Sequence, residues 1–237
     1  MSVEFTKDNI DLYFKELGKE FRKLNGTNMR AEIVLIGGGA VLANYDFRDM
    51  TTDMDAIIRA SSVMKEAILR VSDKYSLPHD WLNADFKRTD SFSDRLEEVS
   101  VYYKTFSNIM EVRTVAAEYL IAMKLMSGRQ YKNDLSDIAG ILWEHKKRGS
   151  SITKAAIDSA VLKLYGQEPL PDTTKHLLDD IFKVEDYEGD YAKFREREKD
   201  AKSILLKFDK ENPGELKGEN INSIIEQMRQ RNTHPNS

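Results

Sequence analysis

The hydrophobic residues at the start of the chain recur at alternating spacings of four and three, which is the period of an amphipathic α-helix. They are Ile10, Phe14, Leu17, Phe21 and Leu24. The polar stretch NGTN at residues 25–28 follows them and contains a glycine, a residue that commonly ends helices. The pattern therefore predicts a helix over residues 8–24.

Beyond this helix, the apolar runs become short and rich in β-branched and aromatic residues, which is typical of strands. Strands are predicted at residues 31–36, 53–60, 97–106 and 109–115, with helices between them at 40–45 and 61–75. From Ala116 the period is helical, and helices are predicted at 116–128, 134–149, 152–166, 172–184, 186–210 and 220–231. The sequence thus predicts an α/β part followed by a helical part.

The boundary between these two parts is predicted at Gly149 and the two serines after it, because small flexible residues are typical of linkers. We therefore expect an α/β domain at residues 1–148 and a helical domain at residues 152–232. The chain ends in the polar stretch NTHPNS, which predicts a disordered tail at residues 233–237.

Composition narrows the class of protein. Of the 237 residues, 41% are hydrophobic and 32% charged, and no apolar run reaches the roughly 18 residues that cross a membrane. The N-terminus lacks the basic start and apolar centre of a signal peptide. The chain contains no cysteine, which excludes disulfides and thiolate metal sites and leaves oxygen or imidazole ligands. We expect a soluble, cytoplasmic protein.

Charge argues against a general nucleic-acid binder. The formal charge is −4, so the chain has no overall positive field, and a polyanion would need a local basic patch. The basic run HKKRG at residues 145–149 is typical of a solvated helix C-terminus. Small anionic substrates such as nucleotides remain compatible with this charge.

Gly37, Gly38 and Gly39 lie between a predicted strand and a predicted helix, which is a common arrangement for holding phosphate. Glycine lets backbone N–H groups approach the anion, and a helix N-terminus adds favourable partial charge. A dinucleotide fingerprint is excluded because Leu42 occupies its third small-residue position. A Walker loop is excluded because no lysine follows the glycines directly. A tight turn without a ligand is the alternative.

Asp53 and Asp55 flank one methionine in the second predicted strand. Successive strand side chains face opposite sides, so both carboxylates point to the same side, about 7 Å apart along the strand. Two carboxylates on one face are costly unless they are solvated, paired or bound to a cation. Mg²⁺ suits such a pair because it binds one or two carboxylates together with substrate phosphate oxygens. A solvated strand end is the alternative.

Gly38 and Gly39, thirteen residues, and then Asp53-Met54-Asp55 resemble the signature of the polymerase-β-like nucleotidyltransferase superfamily. Within it, the chain is similar to the branch of the AbiEii-type toxins and their bacterial relatives, through the segments LPHDWLN at 77–83 and AMKLMSGRQYKNDLSDIAGIL at 122–142. The resemblance covers about residues 30–145. It implies an α/β (α+β) fold class: a mixed sheet flanked by helices, followed here by an all-helical C-terminal part.

The resemblance also implies an activity, namely transfer of a nucleoside monophosphate from a nucleoside triphosphate with release of pyrophosphate. Asp53 and Asp55 would hold Mg²⁺ or Mn²⁺, and Gly38 and Gly39 would admit the phosphates. The acceptor would be a hydroxyl group of RNA, a protein or a small molecule. A toxin role would add an antitoxin partner.

A third metal-binding carboxylate is usual in this superfamily, and Glu111 on the fourth predicted strand is the nearest candidate. Asp134 and Asp137 are the competing source of that charge. Toxins of this branch often carry an arginine shortly before the aspartates, and Arg48 is a near but offset match.

Lys124 lies in an otherwise apolar helix, where a cation must reach water or an anion. The resemblance implies that Lys124, Arg129 and Lys132 contact the triphosphate, while Asp137 supports the metal or orients Lys124. The alternative for Asp134 and Asp137 is helix-start chemistry, because acidic residues stabilise the first turn of a helix.

Two rival functions stay open. One is a nucleotidyltransferase fold that binds nucleotide but has lost its chemistry, which the uncertain third carboxylate would favour. The other is a helical adaptor built from residues 151–232, against which the clustering of polar residues in the first half argues.

Overall fold

The structure is a computed structural model that describes residues 3–27, 29–218 and 220–233. The strands in these residues are β1 (Phe5–Thr6), β2 (Ala31–Leu35), β3 (Met50–Thr51), β4 (Ala56–Arg59), β5 (Ser100–Phe106) and β6 (Met110–Val115). The helices are α1 (Lys7–Asn25), α2 (Gly37–Asn44), α3 (Met64–Tyr75), α4 (Ala117–Ser127), α5 (Asp134–Lys147), α6 (Lys154–Tyr165), α7 (Leu177–Val184), α8 (Tyr187–Glu211) and α9 (Ile221–Thr233).

The predicted fold class is confirmed: a mixed sheet is flanked by helices, and helices alone form the C-terminal part. The sheet has the strand order β4-β2-β6-β5, and β1 and β3 form a separate antiparallel ribbon. Strand β2 is antiparallel to β4 and parallel to β6, while β5 is antiparallel to β6.

This topology brings the glycines and the aspartates to one edge of the sheet. Strand β2 ends at Leu35, which pairs with Ala56 at the start of β4. The residues that follow β2 therefore meet the residues that precede β4. Because β6 is parallel to β2, its C-terminal end lies at this same edge, where Thr114 pairs with Leu35.

Several predicted boundaries differ from the observed ones. The strand predicted from residue 53 begins at Ala56, because the chain before it pairs with the backbone of Asn83 instead. The helix predicted from residue 40 begins at Gly37, so the three glycines form its first turn. The helix predicted at 172–184 covers only Leu177–Val184.

One main hydrophobic core joins the two predicted parts of the chain. It contains Phe14 and Ile33 from the first half and also Ile157, Ile181 and Phe194 from the helices beyond residue 151. A smaller cluster joins α8 to α9. The division into separate domains stays a prediction, and from residue 234 onwards the predicted tail lies outside the described residues.

Among the described residues, no helix is long and apolar enough to cross a membrane.

Candidate active site

A cavity of about 380 Å³ lies at the sheet edge where β2 ends and β4 begins. Its walls carry opposite charges. One wall contains the carboxylates Asp53 and Asp55, and the other contains the cations Arg129 and Lys132 from the loop between α4 and α5. Gly37 lies at the start of α2, between the strand and the cavity. The volume is in the range that binds small ligands.

Asp53 and Asp55 both line the cavity, while Met54 between them is fully buried in the core. The Asp53 side chain is 56% exposed, and Asp55 is half-buried. Burial raises the pKa of Asp55, and the negative charge of Asp53 raises it further, against the opposing effects of Arg129 and Lys132. The pair therefore has the charge and the oxygen donors that suit a hard divalent cation.

The backbone of Asn83 holds this aspartate segment in place. Its N–H donates to the carbonyl of Met54 (3.2 Å), and its carbonyl accepts from the N–H of Ala56 (2.8 Å). The Asn83 side chain accepts from the N–H of Asp85 (2.8 Å), whose carboxylate also lines the cavity. Sequence reasoning gave Asn83 and Asp85 no role, although Asn83 ends the LPHDWLN segment that carried part of the resemblance.

The three glycines have different neighbours. Gly37 has a φ of 52° and lines the cavity, and a Cβ built on it would lie 3.9 Å from the Asp55 carboxylate. A Cβ on Gly38 would lie 2.5 Å from Thr51 Oγ1, and one on Gly39 would lie 3.1 Å from Met54 Sδ. Gly38 and Gly39, which we expected to admit phosphate, thus allow α2 to approach the neighbouring chain closely.

The first turn of α2 reaches the cavity at Gly37. The helix begins after Ile36, and no side chain among the described residues caps it. The first N–H groups of a helix have no partner within the helix, and they carry partial positive charge. These groups belong to Gly37, Gly38 and Gly39, and Gly37, which lines the cavity, places this positively polarised turn beside the position of a bound anion.

Lys132 and Arg129 are positioned differently, although both lie on the cationic wall. Lys132 Nζ lies 3.3 Å from Asp53 Oδ2 across the cavity, and both side chains are about half exposed. Arg129 Nε donates to Asp134 Oδ2 (2.9 Å), which fixes its guanidinium group at the wall. Lys132 is consequently able to exchange its carboxylate partner for another anion, whereas Arg129 is held.

Lys124 lies behind this wall in a buried network of ion pairs. Its Nζ is 3.1 Å from Asp134 Oδ1 and 2.7 Å from Asp137 Oδ2. Burial opposes its charged form, but Asp137 and Asp134 outweigh burial and raise the pKa of Lys124. Burial likewise acts to raise the pKa of Asp134, yet Lys124 and Arg129 lower it to about 2. Lys124 and Asp134 are therefore both ionised at neutral pH.

Asp137 lies on the far side of Lys124 from the cavity. Besides Lys124, it contacts Arg48 Nη1 at 2.8 Å, and Arg48 Nε donates to the carbonyl of Met50 (2.8 Å). The Asp137 side chain is only 2% exposed. The structure thus connects Arg48, Asp137 and Lys124 to one another, but Lys124 alone of the three lines the cavity.

Glu111 does not join the cavity, in contrast to our expectation for a third metal ligand. It lies near the start of β6 and pairs with Glu32, three residues from the Thr114–Leu35 pair at the cavity edge. That separation is about 10 Å along a strand. The Glu111 carboxylate instead accepts from Arg113 Nη1 (2.7 Å).

A metal at this site would draw on few protein ligands. In the described part of the chain, no group of three or more His, Cys, Asp or Glu side chains is arranged to hold a metal ion. Asp53 and Asp55 provide two carboxylates, and Mg²⁺ commonly completes its shell with substrate phosphate oxygens and water. The donor set therefore fits a metal that arrives together with a triphosphate.

A protein-family model described as "Nucleotidyltransferase of unknown function (DUF6036)" matches residues 13–143, which is more than half of the chain. The match includes both walls of the cavity and the Arg48–Asp137–Lys124 network. No curated protein and no solved structure matches the chain.

Proposed function

The chain belongs to this family of nucleotidyltransferases of unknown function, and we propose that it transfers a nucleoside monophosphate from a nucleoside triphosphate to a hydroxyl group. The observation that carries the proposal is the cavity in which Asp53 and Asp55 face Arg129 and Lys132 beside the first turn of α2. A carboxylate pair suits a metal, and cations with helix N–H groups suit phosphates. A metal-bound triphosphate requires both the carboxylate pair for its metal and the cationic groups for its phosphates.

Asp53 and Asp55 are the residues that would hold Mg²⁺ or Mn²⁺. The raised pKa of Asp55 supports this role, because two adjacent carboxylates remain ionised more easily beside a cation. When bound, the cation would neutralise phosphate charge and align the reacting groups. The remaining ligands would come from the substrate, since the described residues offer no third carboxylate in the required arrangement.

The cationic wall would bind the triphosphate. Arg129 is fixed by Asp134, and it offers its remaining N–H groups to the cavity. Lys132 would leave Asp53 and pair with a phosphate, while the N–H groups of the glycine turn would receive another phosphate oxygen. In the transfer, the acceptor oxygen bonds to the α-phosphorus, the bond to the bridging oxygen breaks, pyrophosphate leaves and the hydroxyl proton passes to solvent.

Lys124, Asp134 and Asp137 would support this wall. We expected Lys124 to contact the triphosphate, and its place at the cavity allows this. Two of its three donors, however, already face Asp134 and Asp137. Its main contribution in our proposal is to keep Asp134 ionised, so that Asp134 can hold Arg129 at the wall.

The test is a thermal-shift panel with each nucleoside triphosphate, with and without Mg²⁺ or Mn²⁺. Ligand at about 100 times its dissociation constant stabilises the folded state by roughly 2.7 kcal/mol. We expect a metal-dependent shift that disappears in Asp53→Asn and Asp55→Asn. The matched control is Asp73→Asn, an exposed aspartate on α3, which should keep the shift. A wild-type chain that no triphosphate stabilises contradicts the proposal.

A catalytically inactive nucleotide-binding fold is the second candidate, and the position of Glu111 outside the cavity favours it. The two candidate functions predict different outcomes. An active enzyme releases pyrophosphate in the presence of an acceptor, while an inactive fold only binds the nucleotide. RNA, protein and small-molecule hydroxyls are the acceptors to compare. The toxin role and the antitoxin partner stay predictions from the resemblance to the AbiEii-type branch.

A further inference from the structure

Glu198 is a buried carboxylate in a helix whose surface is otherwise rich in exposed charges. It lies on α8 and is 3% exposed, whereas its neighbours Glu196, Arg197 and Lys199 are exposed. A buried carboxylate is costly unless hydrogen bonds compensate for the lost water. Its partners therefore show what the residue is used for.

All three described hydrogen bonds of Glu198 reach the first turn of α5. Its Oε1 accepts from the backbone N–H groups of Leu135 (3.1 Å) and Ser136 (3.0 Å). Its Oε2 accepts from the hydroxyl of Ser136 (2.6 Å). Leu135 and Ser136 are the second and third residues of α5, whose N–H groups are normally satisfied by the side chain of the N-cap residue.

The residue in the N-cap position of α5 does not perform this task. Asn133 makes no side-chain cap hydrogen bond in the described structure, and its Oδ1 accepts instead from Arg195 Nη1 of α8 (2.6 Å). Glu198 thus supplies the cap from another helix, 62 residues further along the chain. When ionised, its carboxylate also complements the positive end of the α5 dipole.

The turn that Glu198 caps is the one that carries the buried network. Asp134 is the first residue of α5 and holds both Lys124 and Arg129, while Asp137 is the fourth and holds Lys124 and Arg48. A change in the direction of this turn would therefore move the cationic wall of the cavity.

A second contact of α8 reaches the segment beside Arg48. The hydroxyl of Tyr191 donates to the carbonyl of Phe47 (2.9 Å), and its ring packs edge-on against the Phe47 ring. One face of α8 consequently contacts two chain segments beside Asp137, namely the segment that contains Phe47 and the first turn of α5. Neither Tyr191 nor Glu198 lines the cavity itself.

We propose that Glu198 is a positioning residue of the candidate active site: it caps α5 from α8 and thereby sets the direction of the turn that places Arg129 and Lys124. The structural part of this proposal rests on geometry alone. Its effect on triphosphate binding rests on the proposed function.

The first experiment measures amide hydrogen exchange in the full chain. Glu198→Ala should speed exchange at Leu135 and Ser136 by about tenfold, the factor expected for one lost hydrogen bond. Glu198→Gln should restore most of the protection, because its carbonyl oxygen can still accept from both amides. The control Glu196→Ala should match the wild type. Unchanged exchange in Glu198→Ala overturns the proposal.

The second experiment compares triphosphate and monophosphate binding in the same variants. If Glu198→Ala changes the direction of the turn that holds the cationic wall, triphosphate binding should weaken by about tenfold. Monophosphate binding should stay unchanged, and Glu198→Gln should recover triphosphate binding. Equal loss for both ligands would indicate general destabilisation and overturn the positioning role. If the wild type binds no triphosphate, the proposed function fails. Amide exchange at residues 128–136 still tests whether Glu198 determines the direction of the first turn of α5.

A third variant covers the case in which Glu198→Ala does not fold. Ser136→Ala removes only the hydroxyl that donates to Glu198 Oε2. It should speed exchange at Leu135 and Ser136 to a smaller extent and weaken triphosphate binding in the same direction. Wild-type exchange and wild-type binding in this variant would overturn the proposal.

Discussion

Asp55 opposes folding at neutral pH. Its pKa is raised by burial and then by the charge of Asp53, so the folded state binds its proton more tightly than the unfolded state does. For such a group, the unfolding free energy falls as pH rises above the ordinary carboxylate pKa. A carboxylate that lowers stability in this way is better explained by ligand binding than by folding.

We predict that Asp55→Asn raises the melting temperature at about pH 7.5 and abolishes metal-dependent triphosphate binding. The gain should be smaller at about pH 4.5 than at about pH 7.5, because the raised pKa of Asp55 means that the folded state binds its proton increasingly as pH falls. Thermal melts at both pH values test this, with Asp73→Asn as the control. A lower melting temperature for Asp55→Asn at about pH 7.5 would contradict the prediction.

Single residues were predictable from sequence where the reason is local. The spacing of Asp53 and Asp55 predicts that they share one side, and both line the cavity. The place of Glu111 depends on the register of β6 against β2, strands about 75 residues apart in the chain. Neither composition nor spacing determines that register, so the sequence alone could not place Glu111 relative to the cavity.

Two elements approach each other closely where the glycine turn of α2 crosses the segment around Thr51. Gly38 has no room for a side chain there, because a Cβ would lie 2.5 Å from Thr51 Oγ1. Thr51 also contacts Asp53 through this hydroxyl, which donates to the Asp53 carbonyl (3.3 Å). A change at Gly38 would therefore reach the carboxylate wall of the cavity.

We predict that Gly38→Ala destabilises the fold by about 1–3 kcal/mol, the usual cost of overpacking. Thr51→Ala removes the clashing oxygen, so the double variant should recover part of the loss. Urea unfolding of the wild type, both single variants and the double variant forms a cycle that isolates the clash. If the two single effects simply add, Thr51 is not the cause.

The contact between α5 and α8 should make stability depend on pH. Burial raises the pKa of Glu198 to about 7 and the charge of Asp137 adds to it, while the Ser136 hydrogen bonds and Arg195 lower it. Unfolding free energy should thus fall between about pH 4.5 and 7, by on the order of 3 kcal/mol from this group. Glu198→Gln should remove that part of the slope; an unchanged slope in urea titrations would contradict it.

The helices and the four strands of the main sheet were predictable from the periodicity of apolar residues. The two-residue strands β1 and β3, and the ends and neighbours of the other elements, were not. Strand β4 starts at Ala56 because Asn83, which is distant in sequence, pairs with the preceding residues. Glu198 lies in the run KFREREKDAK at residues 193–202, whose alternating charges are typical of an exposed helix face, and nothing near it in sequence shows that α5 needs a cap from outside.

For the whole molecule, the boundary predicted at residues 149–151 rests on a change in composition. The main hydrophobic core does not follow this boundary, because it includes residues from both sides of it. Helices α6 and α8 contribute Ile157, Ala160 and Phe194 to the main core, all of them buried. In contrast, Ile224 and Ile225 of α9 pack against α8 in the smaller cluster, which Tyr131 of the α4–α5 loop also contacts. The chain should consequently tolerate loss of its last helix and not loss of all the C-terminal helices.

We predict that truncation after Ser150 prevents cooperative folding, whereas truncation after Gly214 preserves it together with triphosphate binding. Each large apolar side chain that loses its burial contributes roughly 1.5–3 kcal/mol, and several are lost in the shorter chain, against a typical stability of 5–15 kcal/mol. Near-ultraviolet circular dichroism and urea unfolding distinguish the two. A folded, nucleotide-binding chain of residues 1–150 would instead establish the predicted domain boundary and limit α8 to a role outside the site.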